Sequence, residues 1–360
     1  MRIELPISKS IANRLLILQA IHGDGLMTVS CDMPDDVQIM SEAIRLLGER
    51  REARIDLGNC GTAMRFLTAY CAQLEGQTTI LDGVERMHHR PIGQLVDALR
   101  EIGADIEYLG EEGFPPLRIK GCTLDKRRIV TINNPQSTQF VSALLLIGAN
   151  VQTDSTSPYI YITQEVIKQY QLSPFSYHLS VEKDWSSAAF WYEYVALHGG
   201  EITLLGLSRD SLQGDKIVAD IFAHLGVQTE YTAEGITIAF TGVADLQRSD
   251  LQGIDARSTA QRSAEEILCQ DFSACPDLYP AVALTCERLG IELHATGVES
   301  LPLKESDRLR AVREHRTDHD HRMAMALLIA GYEVDDTACI SKSYPQFLEQ
   351  FHRMNTLKLQ

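Results

Sequence analysis

The run Leu303-Lys304-Glu305-Ser306-Asp307-Arg308-Leu309 sets polar and charged residues between two leucines. A helix starting at Ser306 would put Lys304 and Arg308 four apart on one face, with Glu305 one step round. Two cations aimed at one spot beside a carboxylic acid suit an anionic substrate that must gain or lose a proton. The same residues also read as a solvated helix start with an ion pair.

Other stretches share this character. Ser8-Lys9-Ser10-Ile11-Ala12-Asn13-Arg14 lies at a strand-to-helix junction, where free N–H groups, hydroxyls and a lysine can bind phosphate or carboxylate, or where Ser is simply a cap. Gly58-Asn59-Cys60-Gly61-Thr62-Ala63-Met64-Arg65 is a second junction, either a tight turn or a place where Gly61 lets a ligand approach the backbone. Arg86, in Arg86-Met87-His88-His89-Arg90-Pro91, offers a bidentate guanidinium from what is otherwise a solvated loop. Ser137-Thr138-Gln139 precedes an apolar helix as a cap or a phosphate cradle. Asp277, before the apolar stretch 278–285, is a cap or a general base. Asp318-His319-Asp320-His321-Arg322 has His315 and His319 four apart. No HExxH-type or cysteine spacing supports a metal there, and a helix start presenting Arg322 is the preferred reading. Lys342 is a last loop cation.

The elements that would position these residues repeat. Strand, glycine turn, helix ending in Leu-Gly or Ile-Gly, and strand recur over 78–108, over 201–231 and from 290 onward. Shorter strands are expected at 3–6, 27–30 and 54–57, and helices at 11–20, 34–47, 62–72, 186–197 and from 306. Irregular spacing and mixed strands and helices favour a duplicated globular α/β fold over a solenoid.

At 360 residues the chain can hold two domains with real cores. Its 44% hydrophobic and 23% charged content is that of a soluble globular protein. A net charge of −16 speaks against nucleic acid or anionic membrane as a partner, and makes cations set among Gly and Ser read as local anion sites. The eight cysteines show no Cys-x-x-Cys pair and read as reduced, mostly buried thiols. With no signal-like or membrane-length apolar run, a cytoplasmic location is expected.

Taken in order, Pro6, Ser8-Lys9-Ser10, Asn13-Arg14, Gly58-Asn59, Gly61-Thr62-Ala63-Met64-Arg65, Arg86-Met87, Arg90-Pro91, Ser137-Thr138-Gln139, Lys304-Glu305-Ser306-Asp307-Arg308, Asp320-His321-Arg322-Met323-Ala324-Met325 and Lys342 resemble the 3-phosphoshikimate 1-carboxyvinyltransferase (EPSP synthase) family over nearly the whole chain. The resemblance implies a two-domain inside-out α/β barrel, each domain built from three repeated βα units with helices inside and sheets outside. Residues 1–8 plus 184–360 would form the first domain and 9–183 the second, with the active site in a closing cleft between them. The implied reaction moves the enolpyruvyl group of phosphoenolpyruvate to the 5-hydroxyl of shikimate 3-phosphate.

By the same resemblance, Lys9, Gly61, Arg86, Gln139, Arg308, Arg322 and Lys342 would hold phosphoenolpyruvate. Lys9, Ser10, Arg14, Ser137, Thr138, Gln139, Thr156, Asp277, Ser300 and Lys304 would hold shikimate 3-phosphate, with Tyr159 lining the site. Asp277 would take the hydroxyl proton, and Glu305 with Lys9 would protonate the methylene carbon. No metal or organic cofactor is expected, and no partner beyond the small-molecule substrates; a monomer is expected. Gly61 would leave room for glyphosate to compete with phosphoenolpyruvate.

The chain departs from the family in Phe66, where many relatives carry proline or leucine, and in Cys60, where alanine or serine is usual. Few residues separate Leu47 from Asn59, Gly148 from Tyr159 and Arg308 from Asp320, where relatives carry extra strands. These short segments raise one alternative, a catalytically impaired anion-binding relative, against which the retained carboxylates and cations speak. UDP-N-acetylglucosamine enolpyruvyl transferase shares the fold but pairs its first lysine with asparagine; here Ser10 follows Lys9.

Overall fold

Period-two strands and apolar helices stopped by glycine organise the computed structural model, which describes residues 1–172, 181–242 and 267–358. In chain order the first elements are β1 (Arg2–Glu4), α1 (Lys9–His22), α2 (Asp35–Glu49), β2 (Glu52–Asp56), α3 (Gly61–Ala72), β3 (Thr78–Asp82), α4 (Gly93–Glu101), β4 (Asp105–Tyr108) and β5 (Leu117–Lys120). Next come β6 (Ile129–Thr131), α5 (Thr138–Leu146), β7 (Asn150–Gln152), α6 (Pro158–Leu172), α7 (Trp185–His198), β8 (Glu201–Leu205), α8 (Val218–Ala223), β9 (Val227–Tyr231) and β10 (Gly235–Phe240). The last are β11 (Ile267–Asp271), α9 (Tyr279–Leu289), β12 (Glu292–Thr296), α10 (Arg308–Glu314), α11 (His321–Ile329) and α12 (Phe347–Lys358).

The chain divides into two compact units. The first comprises Met1–Pro6, Glu182–Pro302 and Ser306–Gln360; the second comprises Ile7–Val181 and Leu303–Glu305. Each carries the same sheet. In the first unit the order is β1-β8-β10-β9, in the second β2-β3-β5-β4. Both begin with a parallel pair and continue antiparallel. Each unit also holds a parallel two-stranded ribbon, β11-β12 or β6-β7. The repeat read from the sequence at 78–108 and 201–231 is therefore physical: strand, helix and a second strand, with a third strand inserted antiparallel between the two.

Burial separates the layers within each unit. On α7 every residue from 185 to 196 is buried, and α3 hides all but Thr62. Strands alternate instead, as β3 and β8 do, with one face inward. Trp191 sits deep in the first unit's core and donates its indole N–H to the Tyr344 hydroxyl at 3.0 Å, so its polar edge is satisfied. Gly290, at φ 68°, ends α9 in the left-handed conformation that lets the chain turn into β12.

Three local expectations change. Residues 27–30 form no strand. Helix α10 starts at Arg308, because the Asp307 side chain accepts the Arg310 N–H at 3.2 Å and so fixes the boundary. Lys304 thus stands outside the helix. Of the cysteines, Cys31 and Cys269 are exposed while Cys60, Cys71, Cys275 and Cys286 are buried.

Two of the short segments keep one strand each, β2 between Leu47 and Asn59 and β7 between Gly148 and Tyr159, while the third, between Arg308 and Asp320, holds α10 and no strand. Glu49 ends α2 just before Glu52 opens β2, and residues 153–157 join β7 directly to α6. The link from α10 to α11 is closed by placing His315, Asp318 and His319 at φ 51°, 46° and 59°. These left-handed positions are held by Arg310–Asp318 at 2.8 Å, Arg316–Asp318 at 3.1 Å and His319–Asp336 at 2.6 Å. Among the described residues, no helix is long and apolar enough to cross a membrane.

Candidate active site

Asp320 organises a cluster of charged residues in the first unit. Its Oδ1 caps α11 by accepting the Arg322 N–H at 2.9 Å. Its Oδ2 receives the Arg308 Nε at 2.8 Å and the Ser306 hydroxyl at 3.2 Å. Both guanidiniums then turn to Asp277, in the turn before α9. Arg308 Nη1 meets Asp277 Oδ1 at 2.8 Å, and Arg322 Nη2 meets Asp277 Oδ2 at 2.9 Å. The Arg308 side chain is 0% exposed and that of Arg322 3%, whereas Asp277 keeps 15%. Such buried pairs persist only because the charges compensate one another, and Asp277 is the member that still reaches the surface.

A further carboxylate lies behind Asp277. Asp215 is buried and accepts a hydrogen bond from the Ser186 hydroxyl. Burial first, and then the negative charge of Asp277, pushes Asp215 up to about 7. His321 is buried beside Arg322, with its Nε2 against Nη1. Lys342 ends the 3-10 turn Ala338–Lys342, which follows α11, and Ser300 stands partly exposed in the turn after β12. His315 pairs with Glu287 at 2.8 Å and His319 with Asp336, so these two histidines serve different partners. No cluster of three or more potential metal ligands occurs among the described residues.

In the second unit, Lys9 is the first residue of α1 and is buried. Its ammonium meets Asp36 of α2 at 3.0 Å. One turn on, Arg14 is buried among neutral groups. Its Nε donates to Thr163 at 2.7 Å, Nη1 to the Ser10 carbonyl at 2.6 Å, and Nη2 to the Tyr159 carbonyl at 3.1 Å and the Ser142 hydroxyl at 3.3 Å. The Phe66 ring lies 5.2 Å from the guanidinium carbon. Burial lowers Arg14 to about 10, and among the described residues no carboxylate bonds it.

Gly61 opens α3 against a second cation. A Cβ on Gly61 would lie 2.5 Å from Arg90 Nη2, so only glycine admits this approach. Arg90 bonds the Asn59 carbonyl at 3.2 Å and its side-chain oxygen at 3.3 Å. Arg65 follows Gly61 by one helical turn and bonds the Pro91 carbonyl at 2.9 Å. Burial, then the neighbouring Arg90, holds Arg65 well below its ordinary value, while Glu305 acts in the opposite sense. Arg86 donates to the carbonyls of Lys304 at 3.0 Å and Glu305 at 3.2 Å, which gathers those three residues within this unit.

Gln139 reaches Thr62 at 2.9 Å, joining the starts of α5 and α3. Ser137 caps α5 by accepting the Gln139 N–H at 3.3 Å, with Thr138 as the first helical residue. Thr156 is exposed and lines a hollow of about 800 Å³ with Thr131, Asn133, Asp154 and Tyr161. Sequence reasoning missed Asp36, Asp215 and the clamp role of Asp320. Their partners lie 27, 29 and 12 positions away, so no local spacing reports them.

The sequence profile of a family described as EPSP synthase (3-phosphoshikimate 1-carboxyvinyltransferase) matches residues 49–172, 147–315 and 313–351. A 3-phosphoshikimate 1-carboxyvinyltransferase of Bacteroides fragilis is 37% identical, covering 98% of this chain and 94% of its own. That alignment spans 413 positions, more than the 360 residues present here, so the relative carries segments this chain lacks. One from Idiomarina loihiensis is 29% identical, covering 98% of this chain and 96% of its own. An EPSP synthase structure from Acinetobacter baumannii superposes with a TM-score of 0.62 at 20% identity, covering 98% of this chain and 95% of that one.

Proposed function

This chain belongs to the EPSP synthase family, and on that basis we propose that it transfers the enolpyruvyl group of phosphoenolpyruvate to the 5-hydroxyl of shikimate 3-phosphate, releasing phosphate. The fold is the two-domain α/β fold of the enolpyruvyl transferases. Both substrates are polyanions, and cations must offset their repulsion before they can approach. We assign phosphoenolpyruvate to Lys9, Gly61, Arg86, Gln139, Arg308, Arg322 and Lys342. Shikimate 3-phosphate is assigned to Lys9, Ser10, Arg14, Ser137, Thr138, Gln139, Thr156, Asp277, Ser300 and Lys304.

The proposed chemistry is acid–base throughout. Asp277 accepts the 5-hydroxyl proton as that oxygen bonds C2 of phosphoenolpyruvate. Glu305, with Lys9, delivers a proton to the methylene carbon, giving a tetrahedral adduct with a methyl group. Loss of a methyl proton and cleavage of the C–O bond to phosphate then yield the enolpyruvyl ether. We propose that these steps need no metal or organic cofactor, and that the protein acts as a cytoplasmic monomer.

The observation that carries the reading is the convergence of two buried arginines on one partly exposed aspartate. The test is phosphate release by the purified protein, with Asp277→Ala and Glu305→Ala alongside. Release should need both substrates and fall at least ~100-fold in each variant. Release from phosphoenolpyruvate alone, or undiminished release in both variants, would refute the proposal.

A further inference from the structure

A general base must be able to take a proton, and Asp277 is held in a way that opposes this. Each of its carboxylate oxygens accepts a charge-assisted bond from a different guanidinium, Arg308 on Oδ1 and Arg322 on Oδ2. Two cations at this range favour the ionised carboxylate and weaken it as a base. The same two arginines are the ones assigned above to phosphoenolpyruvate. Arg308 is fixed further, because its Nε is bonded to Asp320. The carboxylate of Asp277 and an incoming anion therefore want the same Nη donors.

Resting on the proposed function, we infer that Asp277 is a resident counter-anion which phosphoenolpyruvate displaces, so that arrival of the enolpyruvyl donor switches on the base. Before phosphoenolpyruvate binds, Asp277 neutralises the two buried guanidiniums and is a poor acceptor for the 5-hydroxyl proton. Once the substrate's anionic groups take over the Nη donors, Asp277 loses these two cationic contacts and regains basicity. Proton removal is thereby tied to the presence of the electrophile, and a bound shikimate 3-phosphate alone is left unactivated. The arrangement needs no large movement. Asp320 keeps Arg308 oriented through Nε, and the cap on α11 holds the Arg322 backbone, while only the Nη ends exchange partners.

The consequence is opposite to what a simple binding role for Asp277 would give. Removing its charge should tighten phosphoenolpyruvate binding while abolishing turnover. The experiment is calorimetric titration of phosphoenolpyruvate, without the second substrate, into wild type, Asp277→Asn and Asp277→Ala. Asp220→Asn, on the exposed side of α8, controls for net charge. We expect Kd to fall at least fivefold in both Asp277 variants and to stay within twofold of wild type in the control. Where a variant is too unstable to titrate, the melting shift produced by saturating phosphoenolpyruvate takes its place and should exceed that of wild type. Unchanged or weaker binding in the Asp277 variants, beside a wild type that releases phosphate normally, overturns the inference and leaves the function standing. A wild type that neither binds phosphoenolpyruvate nor releases phosphate overturns both.

Discussion

Replacing Asp320 separates two jobs that one buried carboxylate performs. Its side chain is 0% exposed, as is that of Arg308, which it meets at 2.8 Å. Removing one partner of a buried pair typically costs ~3–5 kcal/mol, because the other charge is left without compensation. Arg308 keeps Asp277, so the lower end applies, about 3 kcal/mol for Asp320→Asn. Asparagine can still cap α11 through its side-chain oxygen, whereas alanine cannot, and a lost cap adds about 1 kcal/mol. Asp320→Ala should therefore cost about 4 kcal/mol. The assay is urea unfolding followed by tryptophan fluorescence. Both tryptophans of the chain, Trp185 and Trp191, lie on α7, so the signal reports the first unit alone. At an ordinary urea dependence the midpoint should drop by about 1–2 M, further for alanine than for asparagine. A wild-type midpoint for Asp320→Asn would mean that the Arg308 bond is not stabilising. Equal losses for the two variants would mean that the cap contributes nothing.

Two other expectations concern pH and space. Asp215 stands at about 7 when folded against 3.8 for an unperturbed aspartate. Between those values the folded form holds a proton that the unfolded chain has released. The first unit should thus lose stability as pH rises through that window and regain it on acidification. Asp215→Asn should flatten that slope in melting-temperature profiles, and an unaltered slope would assign it to other groups. Gly61→Ala should displace the Arg90 guanidinium, which lies 2.5 Å from the new Cβ, and break its bonds to Asn59. The fold should survive, because a side-chain end and not backbone must move. KM for phosphoenolpyruvate should rise about tenfold with KM for shikimate 3-phosphate little changed, a factor worth ~1.4 kcal/mol; equal rises in both would tie Gly61 to folding instead.

Much of the fold was legible because it repeats. The β3–α4–β4 and β8–α8–β9 copies are written in similar residues, and each helix end is marked by glycine. Boundaries were less legible where caps compete. Ser306 and Asp307 are both acceptable caps by type, and only the observed bond from Arg310 N–H selects Asp307. Residues 27–30 have strand-forming composition but no sheet partner, and propensity alone cannot supply one. In the site, the cations announced themselves by type and by their glycine or serine neighbours. Their carboxylate partners did not, because Asp36 sits in an ordinary acidic helix start and Asp215 in a short 3-10 turn leading into α8. What distinguishes them is burial, and burial is a property of the packed chain.

Lys9 and Arg14 are both buried cations on α1, and they should respond to removal in opposite ways. Lys9 has a resident anion, Asp36, with side-chain exposures of 10% and 3% for the pair. Lys9→Met leaves that carboxylate buried without its cation and should cost ~3–5 kcal/mol. Among the described residues Arg14 bonds only neutral oxygens, and burial already weakens its hold on its proton. Arg14→Met removes an uncompensated charge. The hydroxyl of Thr163 keeps its contacts with Ser142 and the Tyr159 carbonyl, both at 2.9 Å, so few polar groups are stranded. Stability should then be unchanged or higher, while affinity for shikimate 3-phosphate falls at least ~100-fold, by about 2.7 kcal/mol. Thermal melting and ligand titration on the two variants separate these outcomes. A buried cation without a protein anion is a standing cost to the fold, and it persists where a ligand supplies the missing charge. If Arg14→Met melts several degrees below wild type and still binds shikimate 3-phosphate, Arg14 is a clasp between α1, α5 and α6 and not a substrate cation.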